Sequence, residues 1–139
     1  MAGLAAAGTL LKMGSTPVTI AQVYDISGPS MSADTEDVTT HDSSGLPWRE
    51  KVATLIDAGD VQLSLYFDPD GATHKDATGG LLDVFSNRTL EDWEIAFPDT
   101  TEVAFTAYVT QFQPKAPIDG VLTADVTLTI SGALTWSYP

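Results

Sequence analysis

Four stretches of the chain alternate apolar and polar residues one for one, the period of a strand with one buried face. In DVQLSLYFD the apolar set is Val61, Leu63 and Leu65, and in DWEIAFPD it is Trp93, Ile95 and Phe97. TEVAFTAYVTQF places Val103, Phe105, Ala107 and Val109 on one face. In VLTADVTLTIS, Leu122, Val126, Leu128 and Ile130 alternate with Thr123, Asp125, Thr127 and Thr129. A further short strand is expected over Val18 to Tyr24, where β-branched residues concentrate. Turn chemistry separates these runs at Asp68-Pro69-Asp70-Gly71, Pro98-Asp99 and Pro117-Ile118-Asp119-Gly120. One-faced strands of this kind predict an antiparallel sandwich or barrel and not a parallel βαβ sheet.

One helix interrupts the series. Leu81, Leu82 and Phe85 share a face at helical spacing, which predicts a helix over Gly79 to Asn87, with Thr78 as its cap, covering one side of the sheet. Two segments show no useful period. The run DISGPSMSADTEDVTTHDSSGLPWREK, residues 25–51, is long and polar, and a loop of such length in a small domain is either functional or a misread element. The opening MAGLAAAGTLLKMG, residues 1–14, is apolar but carries Gly3 and Gly8 and has no polar face, so it is expected as a mobile arm. The expectation is one domain over residues 1–139, mainly β: an antiparallel sandwich or barrel with one flanking α-helix and a long loop, residues 27–51, between the first strands.

Composition supports a real core. At 139 residues and 43% hydrophobic content the chain can bury most of its apolar surface, which excludes a disordered segment. It has no cysteine, so a disulfide framework and a thiolate metal site are excluded, and a reducing compartment is expected. The first residues lack a basic region ahead of Leu4, and no run approaches the length that spans a bilayer, so the chain reads as soluble and not exported by the secretory route. Six basic against nineteen acidic residues give a formal charge of −13, which argues against tight nucleic-acid binding and suits equally a surface that serves solubility and one that repels polyanions.

Candidate chemistry is sparse. His41-Asp42-Ser43-Ser44 holds the residue types of a nucleophilic triad, but adjacent loop positions do not produce its geometry. His74 also falls in a polar loop. Asp68 to Gly71 is a fragment of a calcium loop without its later acidic ligands, and a turn explains it. Acidic clusters at Asp34, Glu36 and Asp37, and at Glu91, Asp92 and Glu94, say nothing of the separation that glycosidase chemistry needs. Trp93 lies in phase with the core, and Trp136 with Tyr138 suits a final strand better than a sugar-binding face. No enzyme activity, cofactor or metal is expected.

Read as a whole, Tyr24 to Pro69 resembles the major tail tube proteins of long-tailed bacteriophages with non-contractile tails. The matching elements are a strand, then Asp25-Ile26-Ser27-Gly28-Pro29-Ser30, the acidic segment Asp34 to Asp42, a Trp48 stretch ahead of Leu55-Ile56-Asp57-Ala58-Gly59-Asp60-Val61, and a strand ending Tyr66-Phe67-Asp68-Pro69. GTLLKMG at residues 8–14 and VTLTISGALTW near the end are similar to that family too, so the resemblance spans nearly the whole chain. It implies a small β-sandwich or barrel with a flanking helix, six copies in a ring, and rings stacked into a hollow tube that conducts the genome without binding it specifically. Its implied partners are further copies of itself and the tape measure, tail tip and tail terminator proteins. Its implied location is the virion, after assembly in the bacterial cytoplasm, with no membrane.

Physical reasoning agrees with such an assembly. TADVTLTI has a single charge over its length, so as an unprotected edge it invites pairing with another chain, and a closed ring removes the edge. Contact between subunits is expected from the terminal arm through Leu10, Leu11 and Lys12. The long segment adds Ser30, Asp34, Glu36 and Asp37, and further along His41, Asp42, Trp48 and Arg49. Thr123, Asp125, Thr127 and Thr129 are the expected lumen-facing residues. Two other readings are a tube protein of a contractile tail or secretion apparatus, and a soluble carbohydrate-binding or adhesin β-sandwich.

Overall fold

The computed structural model describes residues 3–139 as a curled, seven-stranded antiparallel half-barrel, a separate two-stranded ribbon and one short helix. In chain order the strands are β1 (Leu10–Met13), β2 (Val18–Thr19), β3 (Val23–Ser27), β4 (Ser32–Asp37), β5 (Lys51–Asp57) and β6 (Asp60–Tyr66), followed by helix α1 (Leu81–Asn87) and β7 (Glu91–Ala96), β8 (Glu102–Lys115) and β9 (Thr123–Ser137). The large sheet runs β2-β1-β7-β8-β9-β6-β3, and β4 pairs only with β5. Among the described residues no helix is long and apolar enough to cross a membrane.

The alternating positions make the core. Val61, Leu63 and Leu65 of β6 meet Trp93 and Ile95 of β7, Val103, Phe105, Ala107 and Val109 of β8, and Ala124, Val126, Leu128 and Ile130 of β9. Trp93 is buried, and its indole N–H donates to the Ala107 carbonyl at 3.1 Å, so the largest core side chain leaves no unmet polar atom. Leu81 and Val84 of α1 close the core beside β8.

The helix is capped by a different route from the one expected. Gly80, not Thr78, is the N-cap and makes no side-chain bond. The N–H groups of Leu81 and Leu82 are taken instead by the carbonyls of Thr73 and His74 in the preceding loop. Those carbonyls satisfy donors that a helix start would otherwise leave open.

The expected strand over Val18 to Tyr24 is broken in two. Gln22 has a φ of 65°, and Ile20 turns into the core between β2 and β3. At this turn His74 departs from its expected place in a polar loop, because it is buried. Its Nδ1 accepts from the Asp68 N–H at 3.1 Å, and its Nε2 lies 2.7 Å from the Ala21 carbonyl, to which it must donate. A neutral ring thus ties the loop before α1 to the β2–β3 turn. Replacing His74 with Ala is expected to cost about 2–4 kcal/mol, from the cavity and two orphaned backbone groups, read as a lower urea midpoint.

Two segments without a period also contain strands. The expected arm over residues 1–14 ends before β1, which lies inside the sheet between β2 and β7 with Leu11 and Met13 in the core. Residues 1–2 fall outside the described part. Within 27–51, β4 pairs with β5 from Ser32↔Asp57 to Asp37↔Lys51, so loop remains only at 28–31 in the neck and at 38–50 in the tip. Neither face of β4 is buried, so its sequence SADTED has no alternation to show.

The ribbon leaves the sheet through a tight neck. Gly28 has a φ of 114°, and a Cβ there would come within 2.6 Å of the Asp60 carbonyl oxygen. Gly59 has a φ of 80°, and a Cβ there would overlap the Ser30 carbonyl. Only glycine meets both demands. The Ser30 N–H donates to Asp60 O at 3.1 Å, and the Gly59 carbonyl accepts from Ile130, which bonds the neck to β6 and β9.

Candidate assembly surfaces

The ribbon presents one surface. Every residue of β5 is exposed, including Val52, Leu55 (74%) and Ile56 (81%), and Trp48 of the tip is 79% exposed. Soluble monomers rarely display so many large apolar side chains on one projecting element. Between the ribbon's root and the second half of β9 lies a groove of about 690 Å³ with Met31, Leu55, Ile56, Leu134 and Trp136 in its walls. Trp136 stacks on Phe97, ring centroids 6.4 Å apart, at the rim of the sheet.

The tip is tied by its own polar groups. The Thr39 N–H donates to Asp37 at 2.9 Å and the Thr40 hydroxyl to Asp42 at 2.6 Å. These bonds hold both carboxyls below their ordinary range, chiefly through Thr39 for Asp37 and Thr40 for Asp42. The Glu50 N–H donates to Thr39 Oγ1 at 2.7 Å, closing the tip. Asp42 is thus engaged by Thr40, an arrangement unlike a triad. Among the described residues no group of three or more His, Asp or Glu side chains could hold a metal.

The structure gathers most of the expected contact residues here. Ser30 sits at the neck, Asp34, Glu36 and Asp37 on β4, and His41, Asp42, Trp48 and Arg49 at the tip, all exposed. Leu10 and Lys12 lie apart, on β1 beside β7. Leu11 is fully buried in the core, which removes it as a surface contact. Val52, Leu55 and Ile56 were not expected. Nothing in their run marks them as exposed in the sequence, and only the structure shows them as a surface.

A second, polar surface is built by β3, β6, the first half of β9 and the second half of β8. Register sets Thr127 of β9 between Gln62 and Gln111, and Asp125 between Ser64 and Gln113. Thr123 lies opposite Lys115, and Thr129 shares a 3.0 Å hydroxyl contact with Thr110. The Lys115 ammonium is 2.6 Å from Asp125 Oδ2, while the Ser64 hydroxyl donates to Oδ1 at 2.9 Å. Lys115 and then Ser64 hold the Asp125 carboxyl below its usual range, and Asp125 raises the Lys115 ammonium. Both side edges of this surface are open. Among the described residues, β8 pairs with β7 only up to Ala107, so Tyr108 onward has no strand on that side, and β3 has none beyond it. TADVTLTI of β9, expected as an open edge, is instead paired on both sides by β6 and β8.

An acidic pair marks the opposite end of the sheet. The Glu102 carboxyl on the neighbouring strand, with which a protonated Glu94 can share a hydrogen bond, and then burial raise the Glu94 carboxyl above its ordinary value, against the pull of Lys12. The folded state therefore binds a proton more tightly than the unfolded chain, and stability falls as pH rises from the unfolded value of 4.5 through the raised one. Glu94→Gln should raise Tm at pH 7, with the gain disappearing below the unfolded value, as differential scanning calorimetry across pH would show.

Comparison with known proteins places this geometry. A family model described as lambda phage tail tube protein matches residues 12–137. No curated protein matches the chain. Among solved structures, a chain in the virion of a native gene transfer agent particle superposes with a TM-score of 0.78 at 20% identity, covering 97% of this chain and 99% of that one. A chain of the tail of an empty gene transfer agent particle, with C6 symmetry, gives 0.76 at 21% identity over 97% and 99%. A chain of the sheath–tube complex of an extracellular contractile injection system gives 0.73 at 12% identity over 99% and 93%.

Proposed function

The chain belongs to the lambda phage tail tube protein family, and from that premise we propose how its surfaces build the tube. It is a structural subunit of a phage tail tube. Six copies close a ring, in keeping with the C6 symmetry of the gene transfer agent tail. The open edge of β3 in one copy lies beside the open second half of β8 in the next, which removes both edges and continues the polar face around the ring. That face lines the lumen, with Thr123, Asp125, Thr127 and Thr129 along its centre. DNA passes through it to the host without specific binding.

Rings stack through the ribbon. The observation that carries this is the wholly exposed β5 with Leu55 and Ile56, which no part of its own chain covers among the described residues. Leu10 and Lys12 add to subunit contact from β1. The tape measure, tail tip and tail terminator proteins are partners at the ends of the tube, assembly takes place in the host cytoplasm, and the role involves no catalysis. Tails of the non-contractile type fit best, because the matching family model is that of lambda phage. The contractile-system likeness, at 12% identity, shows the fold alone. Negative-stain microscopy of concentrated protein tests the reading: hollow rods of sixfold cross-section are expected, and a protein that stays monomeric even with a tail tip complex present would overturn it.

A further inference from the structure

Across β3 (Val23–Ser27), β6 (Asp60–Tyr66), Thr123–Ile130 of β9 and Tyr108–Lys115 of β8, the sequence supplies three aspartates, Asp25, Asp60 and Asp125, and a single cation, Lys115. We propose that Asp125 masks Lys115, so that the polar face offers no free cation to a passing duplex. The proposal rests on the reading that this face lines the lumen.

One lysine per subunit becomes a circle of lysines in every ring and a ladder of such circles along the tube. A free lysine neutralises a phosphate and releases its condensed counterion, a gain that is small once and large when repeated down the whole path. Of the remaining aspartates, Asp60 lies further along the face opposite Thr129, and Asp25 lies in the row of Asp125 but two strands away across Ser64. Only Asp125 bonds the ammonium, and a cation at contact distance acts locally because salt screens over about 10 Å.

The local geometry fits masking. One oxygen of Asp125 holds the ammonium at 2.6 Å and the other is fixed by the Ser64 hydroxyl at 2.9 Å, so the carboxylate cannot swing away without losing a second bond. Both side chains of the pair are about half exposed, at 54% and 42%, and exposed pairs of this kind add little to stability. The pair's consequence is therefore the charge that the face presents, and that gives an asymmetry. Removing Lys115 leaves a face that is merely more acidic. Removing Asp125 uncovers the ladder.

The test uses particles whose tails are built from variant subunits, with DNA release followed by a dye that fluoresces on DNA. At low ionic strength Asp125→Asn is expected to slow release roughly tenfold, with recovery as salt rises. Lys115→Gln and the double variant should release at the native rate. Asp125→Ser provides a second unmasked form should the asparagine variant assemble poorly. Native-rate release by both unmasked variants at low salt, or equal slowing by Lys115→Gln, overturns the masking role. The lumen reading is checked separately with Lys115→Cys, the sole thiol in the chain. In finished tubes a small maleimide should label it and a maleimide on a bulky polymer should not. Labelling of the tube wall by the bulky reagent overturns the lumen assignment and the masking role with it.

Discussion

Replacing Leu55 and Ile56 together with aspartate is expected to abolish tube growth while leaving a folded subunit. Both side chains are more than two-thirds exposed in the single chain, at 74% and 81%, so neither contributes much to its own fold. Exposed substitutions of this kind change stability by about 0.5 kcal/mol or less, which moves Tm by only about 2–3 °C. If the proposed stacking holds, each of these side chains becomes buried against the next ring and contributes about 2 kcal/mol. Losing both removes about 4 kcal/mol per subunit, close to a thousandfold in the concentration needed for growth. Burying two unpaired carboxylates adds a further cost. Calorimetry and sedimentation on one sample measure both halves. Rods at the native yield would sink the stacking role of β5, and a collapsed Tm would show that the ribbon supports the core.

The second large effect lies in the fold. Trp93→Ala is expected to cost about 3–5 kcal/mol, because the site is closed on all sides by β1, β8 and the rest of the core and cannot collapse to fill the space. The Ala107 carbonyl also loses its indole partner. Against a total stability of about 5–15 kcal/mol for a domain of ordinary size, this leaves a subunit close to unfolding. Trp93→Phe separates the two causes. It keeps most of the volume and gives up the hydrogen bond with a smaller void, for about 1–2 kcal/mol. Guanidinium titration followed by far-UV circular dichroism gives both values, and a Trp93→Ala midpoint within error of the native one would contradict the packing described.

How far the sequence could be read follows from which faces are buried. β6, β7, β8 and β9 each bury one side, so their apolar positions recur at every second residue and the strands are visible without a structure. β4 and β5 bury neither side, so the same backbone carries no such mark. β1 does alternate, with Leu11 and Met13 inward, but four residues are too few to stand out from the apolar run around them. Leu11 therefore reads from the sequence as a surface contact when it belongs to the core. His74 was read as solvated because its partners, the Ala21 carbonyl and the Asp68 N–H, are backbone groups that no residue type reveals. The polar expectation for Thr123, Asp125, Thr127 and Thr129 was legible from period alone. The tie of Asp125 to Ser64 and Lys115 needed the register of three strands.

The neck at Gly28 and Gly59 has an evolutionary consequence. Its close contacts involve only main-chain atoms of Ser30 and Asp60 to Val61, so the fold constrains two glycines there and leaves the ribbon beyond them free to vary. Given the proposed stacking role, side chains from Ser32 to Ile56 can drift under selection for mating with their own kind with little penalty in the core, while Asp57 stays tied to the Gly59 N–H at 2.9 Å. Two phages sharing one host could thereby diverge into tubes that never co-polymerise. For the same reason, grafting ribbons between family members should yield filaments with an assigned order of blocks.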